Sequence, residues 1–527
     1  MISRLRKLAL LAALMLLLVA GCMIGPDFKL PQVKVSQQWM ESGEPNVLAT
    51  PPRYRDWWDT FSDPVLTRII QTAYAQNLTL RAAGVRVLEA RAQLGIAIGE
   101  FYPQQQEITS SISYNRIPAS IPYNIVNNRY WSDSVGAQAA WELDLWGKFR
   151  RGVESADDAF LASVAQYDDV LVTLTADVAS DYVTMRAEQT ELAIARENVK
   201  RQKEVLQVAN DRFTGGVTSQ LDVYQAQNVL GATEATIPQL TIQIAQMKNA
   251  MSALIGSPPG TIDGLLGSST EIPAAPESVA VGIPADLLRR RPDIRAAELE
   301  AASQCSQIGV AKADLLPALS LVGSVATVAS NTGHNTLTDL FTSASLEFSA
   351  GPSISWNILN YGQITNNVRL QDAKFQELLV NYQNAVLSAQ ADVENALSLY
   401  IESRKQTAYL EQSVEAAAGA MRISLIQYKE GTTIFTAVLL AEENLLEAED
   451  NYTLARANIP LGLINTYRAL GGGWEIREGH DFVPAETQSQ MAKRTNWGRL
   501  LNPELLQPSA PGLPAASDRG PLVRPPE

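Results

Sequence analysis

Residues 134–145, SVGAQAAWELDL, and residues 346–358, LEFSAGPSISWNI, decide how this chain folds. In the first stretch Val135, Ala137, Ala139, Trp141, Leu143 and Leu145 alternate with Ser134, Gly136, Gln138, Ala140, Glu142 and Asp144. In the second, Leu346, Phe348, Ala350, Pro352, Ile354, Trp356 and Ile358 alternate with Glu347, Ser349, Gly351, Ser353, Ser355 and Asn357. Successive side chains of a strand point to opposite faces, so each stretch predicts a strand with one apolar and one wet face. Partner strands are expected upstream, at 108–114 and 319–329. Segments of about ten residues with aromatics near their ends fit lipid-facing barrel strands. On alternation alone, a soluble antiparallel sheet with one buried face fits as well.

The two stretches belong to a duplication. Gln93, Gly95, Ala97 and Pro103 recur 214 positions later as Gln307, Gly309, Ala311 and Pro317. Trp141, Gly147, Phe160 and Tyr167 recur 215 positions later as Trp356, Gly362, Phe375 and Tyr382, and the match reaches Gly216 and Gly431. One offset held over such a length indicates a repeated unit of roughly 200 residues. Repeat 1 is placed at about 58–256, a linker at 257–283 and repeat 2 at about 284–472. The four strands cannot close a barrel, since even small ones use about eight. Open edges in hydrocarbon leave backbone groups unpaired, so a membrane reading requires several chains to pool their strands.

After each strand pair comes a long helical pattern. No proline falls between 148 and 212, and Phe160, Val164, Tyr167, Leu171, Leu174, Val178 and Met185 keep steps of four and three, interrupted only at Asp181. Phe375, Leu379, Tyr382, Val386, Ala389, Val393, Ala396 and Tyr400 repeat the stripe. Both are coiled-coil seams, and some 65 residues extend roughly 97 Å at 1.5 Å per residue. Each ends in a glycine-containing turn, 213–217 and 428–432, before a helix returns over 218–256 and 433–470. Helices of 23 residues also precede the strands, at 79–101 and 293–315, and stacked end to end on the returning helices they match the long partner.

The ends of the chain read differently. Arg4, Arg6 and Lys7 precede the apolar run 8–20, and Val19-Ala20-Gly21-Cys22 follows. This is a secretory signal, residues 1–21, ending in a lipobox, with Cys22 as the acylated first residue of the mature chain; an ordinary signal peptide with an incidental cysteine is the alternative. The run of 13 apolar residues is too short to span a membrane, which takes about 20. Met23, rather than aspartate, after the cysteine points to the outer membrane. Residues 473–527 carry Pro484, Pro503, Pro508, Pro511, Pro514, Pro521, Pro525 and Pro526 and are expected to form a disordered tail.

Composition narrows the function. A net charge of −14 with 19% charged residues argues against nucleic acid as a partner. If Cys22 is acylated, Cys305 has no disulfide partner, and His334 and His480 make no metal motif. No phosphate loop, zinc-protease motif or nucleophile elbow occurs, so an enzyme is not expected, and no cofactor beyond the covalent lipid on Cys22.

Several motifs together carry a resemblance. Gly25-Pro26-Asp27-Phe28 with Pro31, Trp57-Trp58 with Phe61, Asp63-Pro64 and Leu66, and Leu287-Leu288-Arg289-Arg290-Arg291-Pro292-Asp293-Ile294 resemble the NodT-like lipoprotein branch of the TolC-type outer-membrane factors. The resemblance runs from Cys22 to about Leu470. It implies an α+β membrane protein that trimerises: a 12-strand outer-membrane barrel on a 12-helix periplasmic barrel, docked by a periplasmic adaptor onto an inner-membrane pump of the RND type. The function it implies is a passive, gated exit duct for small molecules. Export of protein or peptide, and a coiled-coil scaffold lipoprotein that forms no pore, are the alternatives.

Two places then matter. Gly215, Gly216 and Val217, with Gly431 and Thr432, resemble the tips that meet the adaptor, although glycine is also wanted wherever a helix ends with positive φ. Asp222 and Tyr428 match positions that in relatives hold the periplasmic end closed, while 219–222 also reads as a capping box. The chain departs from the family at Leu440, where aspartate is common, and at Thr433, where some relatives have arginine. An apolar ring of Val438, Leu439 or Leu440 is expected at the constriction, closing by dewetting.

Overall fold

The computed structural model describes residues 23–50, 53–118, 129–282, 284, 290–331 and 337–502. Repeat 1 comprises helices α1 (Pro64–Gln76) and α2 (Leu78–Glu100), strands β1 (Gln105–Arg116) and β2 (Arg129–Glu142), and helices α3 (Lys148–Thr214) and α4 (Gln220–Leu254). Repeat 2 comprises α5 (Pro292–Ala313), β3 (Ala318–Ser330), β4 (Leu346–Ser355), α6 (Gln363–Lys429) and α7 (Phe435–Ala469).

The four strands form one antiparallel sheet in the order β1-β2-β3-β4, and its register sorts the two faces. Ile108, Ala137, Val325 and Phe348 stand opposite one another, as do Glu107, Gln138, Ser324 and Ser349. The first row is apolar and exposed at its ends, with Ile108 86% and Phe348 73% accessible. On the other face Gln138 donates to Glu107 over 2.9 Å, and Ser111 and Ser134 lie 2.8 Å apart. A sheet with an exposed apolar face, a wet face and outer strands that pair with no other described residues is not a soluble core sheet. The strands stop short of expectation: Leu143–Leu145 and Trp356–Ile358 lie beyond them. There the chain turns into the helices, and the Asp144 carboxylate accepts from the amides of Phe149 and Arg150 at 3.2 and 3.1 Å, capping α3.

The long helices α3 and α6 have 67 residues each, and the returning α4 and α7 have 35. In the α3 seam Tyr182, fully buried, takes the place next to Asp181 that interrupted the apolar stripe. End-to-end stacking of the short helices is present in both repeats and is done by equivalent residues. Asn77 caps α2 by accepting from the Leu80 amide at 2.7 Å, and its amide donates to the last carbonyl of α4, Leu254, at 2.8 Å. Arg291, 214 positions later, donates to the last carbonyl of α7, Ala469, at 2.8 Å and pairs with Asp293 in the first turn of α5. The duplication also shows at the sheet base, where Trp141 donates to the Phe101 carbonyl and Trp356 to that of Leu315. α3 packs against α2 and α4 on one side and α5 and α7 on the other; α5 and α7 in turn pack against α6. The wall therefore has four columns: α2 over α4, then α3, then α5 over α7, then α6.

The C-terminal segment corrects one expectation. Residues 473–502 are ordered: a turn at Trp474–Arg477 leads to helix α8 (Ala485–Arg494), and Phe482, Val483 and Met491 are buried. Phe482 meets Tyr167 edge to face with ring centres 5.0 Å apart, and Arg477 forms a two-pronged ion pair with the buried Asp168. The segment is a strap across the middle of the helical wall rather than a free tail. The proline-rich remainder, 503–527, lies outside the described residues. The motif residues near the N-terminus also serve as clamps: Asp27 pairs with the buried Arg151 at 2.6 Å, and Trp57 stacks on Tyr467 with ring centres 5.3 Å apart.

Candidate functional site

The two hairpin tips are built alike because both end on a left-handed glycine. Gly216 has φ 69° and Gly431 φ 77°, conformations that cost a side-chain-bearing residue. The Val217 amide reaches back to the Arg212 carbonyl at 2.9 Å, and the Thr432 amide to that of Gln427 at 2.9 Å. These bonds, with Gly216 to Phe213 and Gly431 to Tyr428, are Schellman closures that satisfy the last carbonyls of each long helix. Gly215, Gly216, Val217, Gly431 and Thr432 are all exposed, so the turn chemistry leaves a free surface at the end of the molecule.

Just above the tips the hairpins are tied together. Tyr428, 2% exposed, donates its hydroxyl to Oδ2 of Asp222 over 2.9 Å. Thr218 donates to the same oxygen. A bond to an ionised carboxylate is stronger than one between neutral groups. Burial, with the Asp222 bond acting in the same direction, pushes the Tyr428 phenol above its usual range and keeps it a donor. No side-chain cap comes from Ser219, so the capping-box reading of 219–222 gives way to the interhelical bond.

Arg212 completes the tie, and sequence reasoning passed over it. Its guanidinium donates to the carbonyls of Tyr428 at 2.6 Å and Lys429 at 3.1 Å, and lies 4.6 Å from the centre of the Tyr428 ring. One cation of the first hairpin thus caps the C-terminus of α6, where the helix dipole favours positive charge. A basic residue in the last turn of α3 reads in isolation as complementing its own helix, which is why the signal was ambiguous.

Beneath this tie lies a small core of Val205, Ala209, Val223, Ala226, Met421, Tyr428, Phe435, Val438, Ala441 and Leu445, drawn from all four helices. Of the three candidates for an apolar ring, Val438 is fully buried here and cannot line a passage; Leu439 is half-buried and Leu440 is 57% exposed. Glu442, one residue past Ala441, is 7% exposed, and among the described residues its Oε1 has no hydrogen-bond partner. A heptad further from the tip, Glu449 accepts two bonds from Arg201, at 2.9 and 3.1 Å, and one from Asn198 at 3.0 Å. Cys22 lies outside the described residues; the chain beside it is seated, with the Ile24 amide on the Trp146 carbonyl at 3.0 Å.

A one-faced sheet with open edges, running into long helical hairpins tied at their far tips, defines an outer-membrane channel of the TolC-like kind. The chain belongs to the outer membrane efflux protein family, whose model matches residues 69–257 and 283–472. Nodulation protein T of Rhizobium leguminosarum bv. trifolii is 30% identical over 448 residues, spanning 84% of this chain and 92% of its own. The solvent efflux pump outer membrane protein SrpC of Pseudomonas putida is 28% identical over 473 residues, 88% of this chain and 98% of that one. The solved outer-membrane channel OprN superposes with a TM-score of 0.78 at 32% identity, covering 86% of this chain and 100% of that one. The protein is an outer-membrane efflux duct and not an enzyme.

Proposed function

We propose that the duct works as a homotrimer, passively conducting small molecules from the periplasm to the exterior, and that Asp222, Tyr428 and Arg212 form its gate. The carrying observation is the sheet: among the described residues it has four strands, an exposed apolar face and two unpaired edges. Three copies would supply twelve strands, enough to remove every edge. The helical wall repeats the need, since α6 exposes Leu370, Val380, Leu387 and Tyr409 on one open side, while α2 and α4 expose Ile96 and Ile242 on the other. SrpC, named for solvent efflux, supports small molecules as cargo.

The coupling partners are a periplasmic adaptor, received on Gly215, Gly216, Val217, Gly431 and Thr432, and an inner-membrane pump of the RND type. Cys22 carries covalent lipid and anchors the N-terminus in the outer membrane. Leu440, exposed just inside the tip, is the residue of an apolar constriction, with Leu439 behind it. Native mass spectrometry of the detergent-extracted protein tests the assembly: a trimer bearing three diacylglyceryl groups is expected, and an unlipidated monomer would overturn it.

A further inference from the structure

Glu442 is a buried carboxylic acid in the seam along which the two hairpins meet. It lies on α7 between Val438 and Leu445, whose core is shared with Val205 and Ala209 of α3 and Met421 of α6. α3 and α7 run antiparallel, so one heptad toward the tip from Arg201 is Val208, which is half-buried in the same core. Glu449 therefore meets a guanidinium and an amide, whereas Glu442 stands beside the apolar residues of this core with its Oε1 unpartnered among the described residues. The other charges nearby are committed or in solvent. Arg201 is held by Glu449, and Arg212 by the α6 carbonyls. On α3, Glu204 is exposed and Lys203 pairs with Glu234 of α4 at 2.9 Å. Glu415 and Arg422 of α6 are exposed, as is Glu443 on α7 itself. In repeat 1 the equivalent position, 215 earlier, is Gln227, which is exposed, so the buried acid belongs to the second hairpin alone.

An ionised carboxylate without a cation or a full set of donors is costly in such a core, and the neutral acid is not. We propose that Glu442 is a proton-operated switch in this seam: neutral, it lets the hairpins close on one another, and ionised, it loosens them. The proposal rests on the reading of the tip as a gate. Burial, countered in part by Arg201 and reinforced by Glu443, pushes the Glu442 carboxyl up to about 7 from an ordinary 4.5. An acid whose value is raised in the folded state supports the closed seam fully below about 4.5, and that support is lost as pH rises through about 7. The seam should thus be tightest in an acidified periplasm and loosest above neutrality.

Hydrogen exchange of the intact protein between pH 5 and 8.5, corrected for the intrinsic pH dependence of exchange, reads the seam through peptides from α3 and α7 that flank Glu442. In the wild type the corrected opening constant should rise by nearly two orders of magnitude across this range, with a half-maximum near pH 7. Glu442→Gln, a mimic of the neutral acid, should give a flat profile at the low-pH level, and Glu443→Gln should keep the rise. A flat wild-type profile, a rise that survives in Glu442→Gln, or one abolished by Glu443→Gln overturns the switch. Bilayer conductance in the same buffers separates the two ideas: a seam that responds as expected without a change in conductance upholds the switch and refutes the gate.

Discussion

Tyr428 in the last turn of α6 donates its hydroxyl to Asp222 in the first turn of α4, joining the two hairpins of one chain across 2.9 Å. The bond sits where leverage is greatest, at the ends of helices 67 residues long whose other ends are fixed below the sheet. It is strong enough to bias a closed arrangement and weak enough for a docking partner to exchange.

Removing this bond should shift the balance toward open. Tyr428→Phe keeps the ring against Phe435 and beneath Arg212 but loses the donor. The loss of a hydrogen bond to a charged group, about 1.5 kcal/mol, should raise the open-to-closed ratio roughly tenfold. Open probability in planar bilayers is the measurement, and Asp222→Asn should produce a smaller rise because the amide oxygen still accepts.

Leu440 projects from the tip core while Val438 is inside it. A polar side chain should wet an apolar constriction, so Leu440→Ser should increase single-channel conductance whereas Val438→Ala should lower thermal stability. A conductance unchanged by Leu440→Ser would count against the apolar ring.

How far the sequence carried this site depends on what each residue answers to. The strand faces were legible because alternation is local: Val135 to Trp141 keep their side whatever else the chain does. Tyr428 and Asp222 came from the resemblance, and local pattern alone favoured a cap. Helical phase separates Val438 from Leu440, since Phe435, Val438, Ala441, Leu445 and Ala448 follow the seam and Leu440 falls off it. Arg212 was illegible because its partners are backbone carbonyls of a helix 216 residues away, which have no sequence signature. The strap at 473–502 was hidden for the same reason: Phe482 and Arg477 are apolar and charged residues among prolines until Tyr167 and Asp168 are placed beneath them.

The stacked columns should depend on their junction residues. Asn77→Ala loses a helix cap and leaves the Leu254 carbonyl without its donor, and Arg291→Ala does the same to Ala469. Each should cost ~1–2 kcal/mol, measured as a lower apparent unfolding temperature, and the pair should be nearly additive because the junctions share no partner.

The strap should be fastened chiefly by Arg477. Arg477→Gln leaves Asp168 buried without its cation and should destabilise the strap by ~3–5 kcal/mol. Limited proteolysis should then release the C-terminal segment at protease levels that leave the wild type intact. Arg55→Gln, at a long and exposed contact to Glu478, should have no such effect.

The central claim is that this chain forms a duct held closed at its periplasmic tip by the tie between Asp222, Tyr428 and Arg212, and conductance across a planar bilayer tests it most directly. The wild type should insert and show a small conductance, and the Arg212→Met, Tyr428→Phe double variant should show a several-fold larger one at the same inserted amount. A wild type that never conducts, or one already as conductive as the double variant, would contradict it.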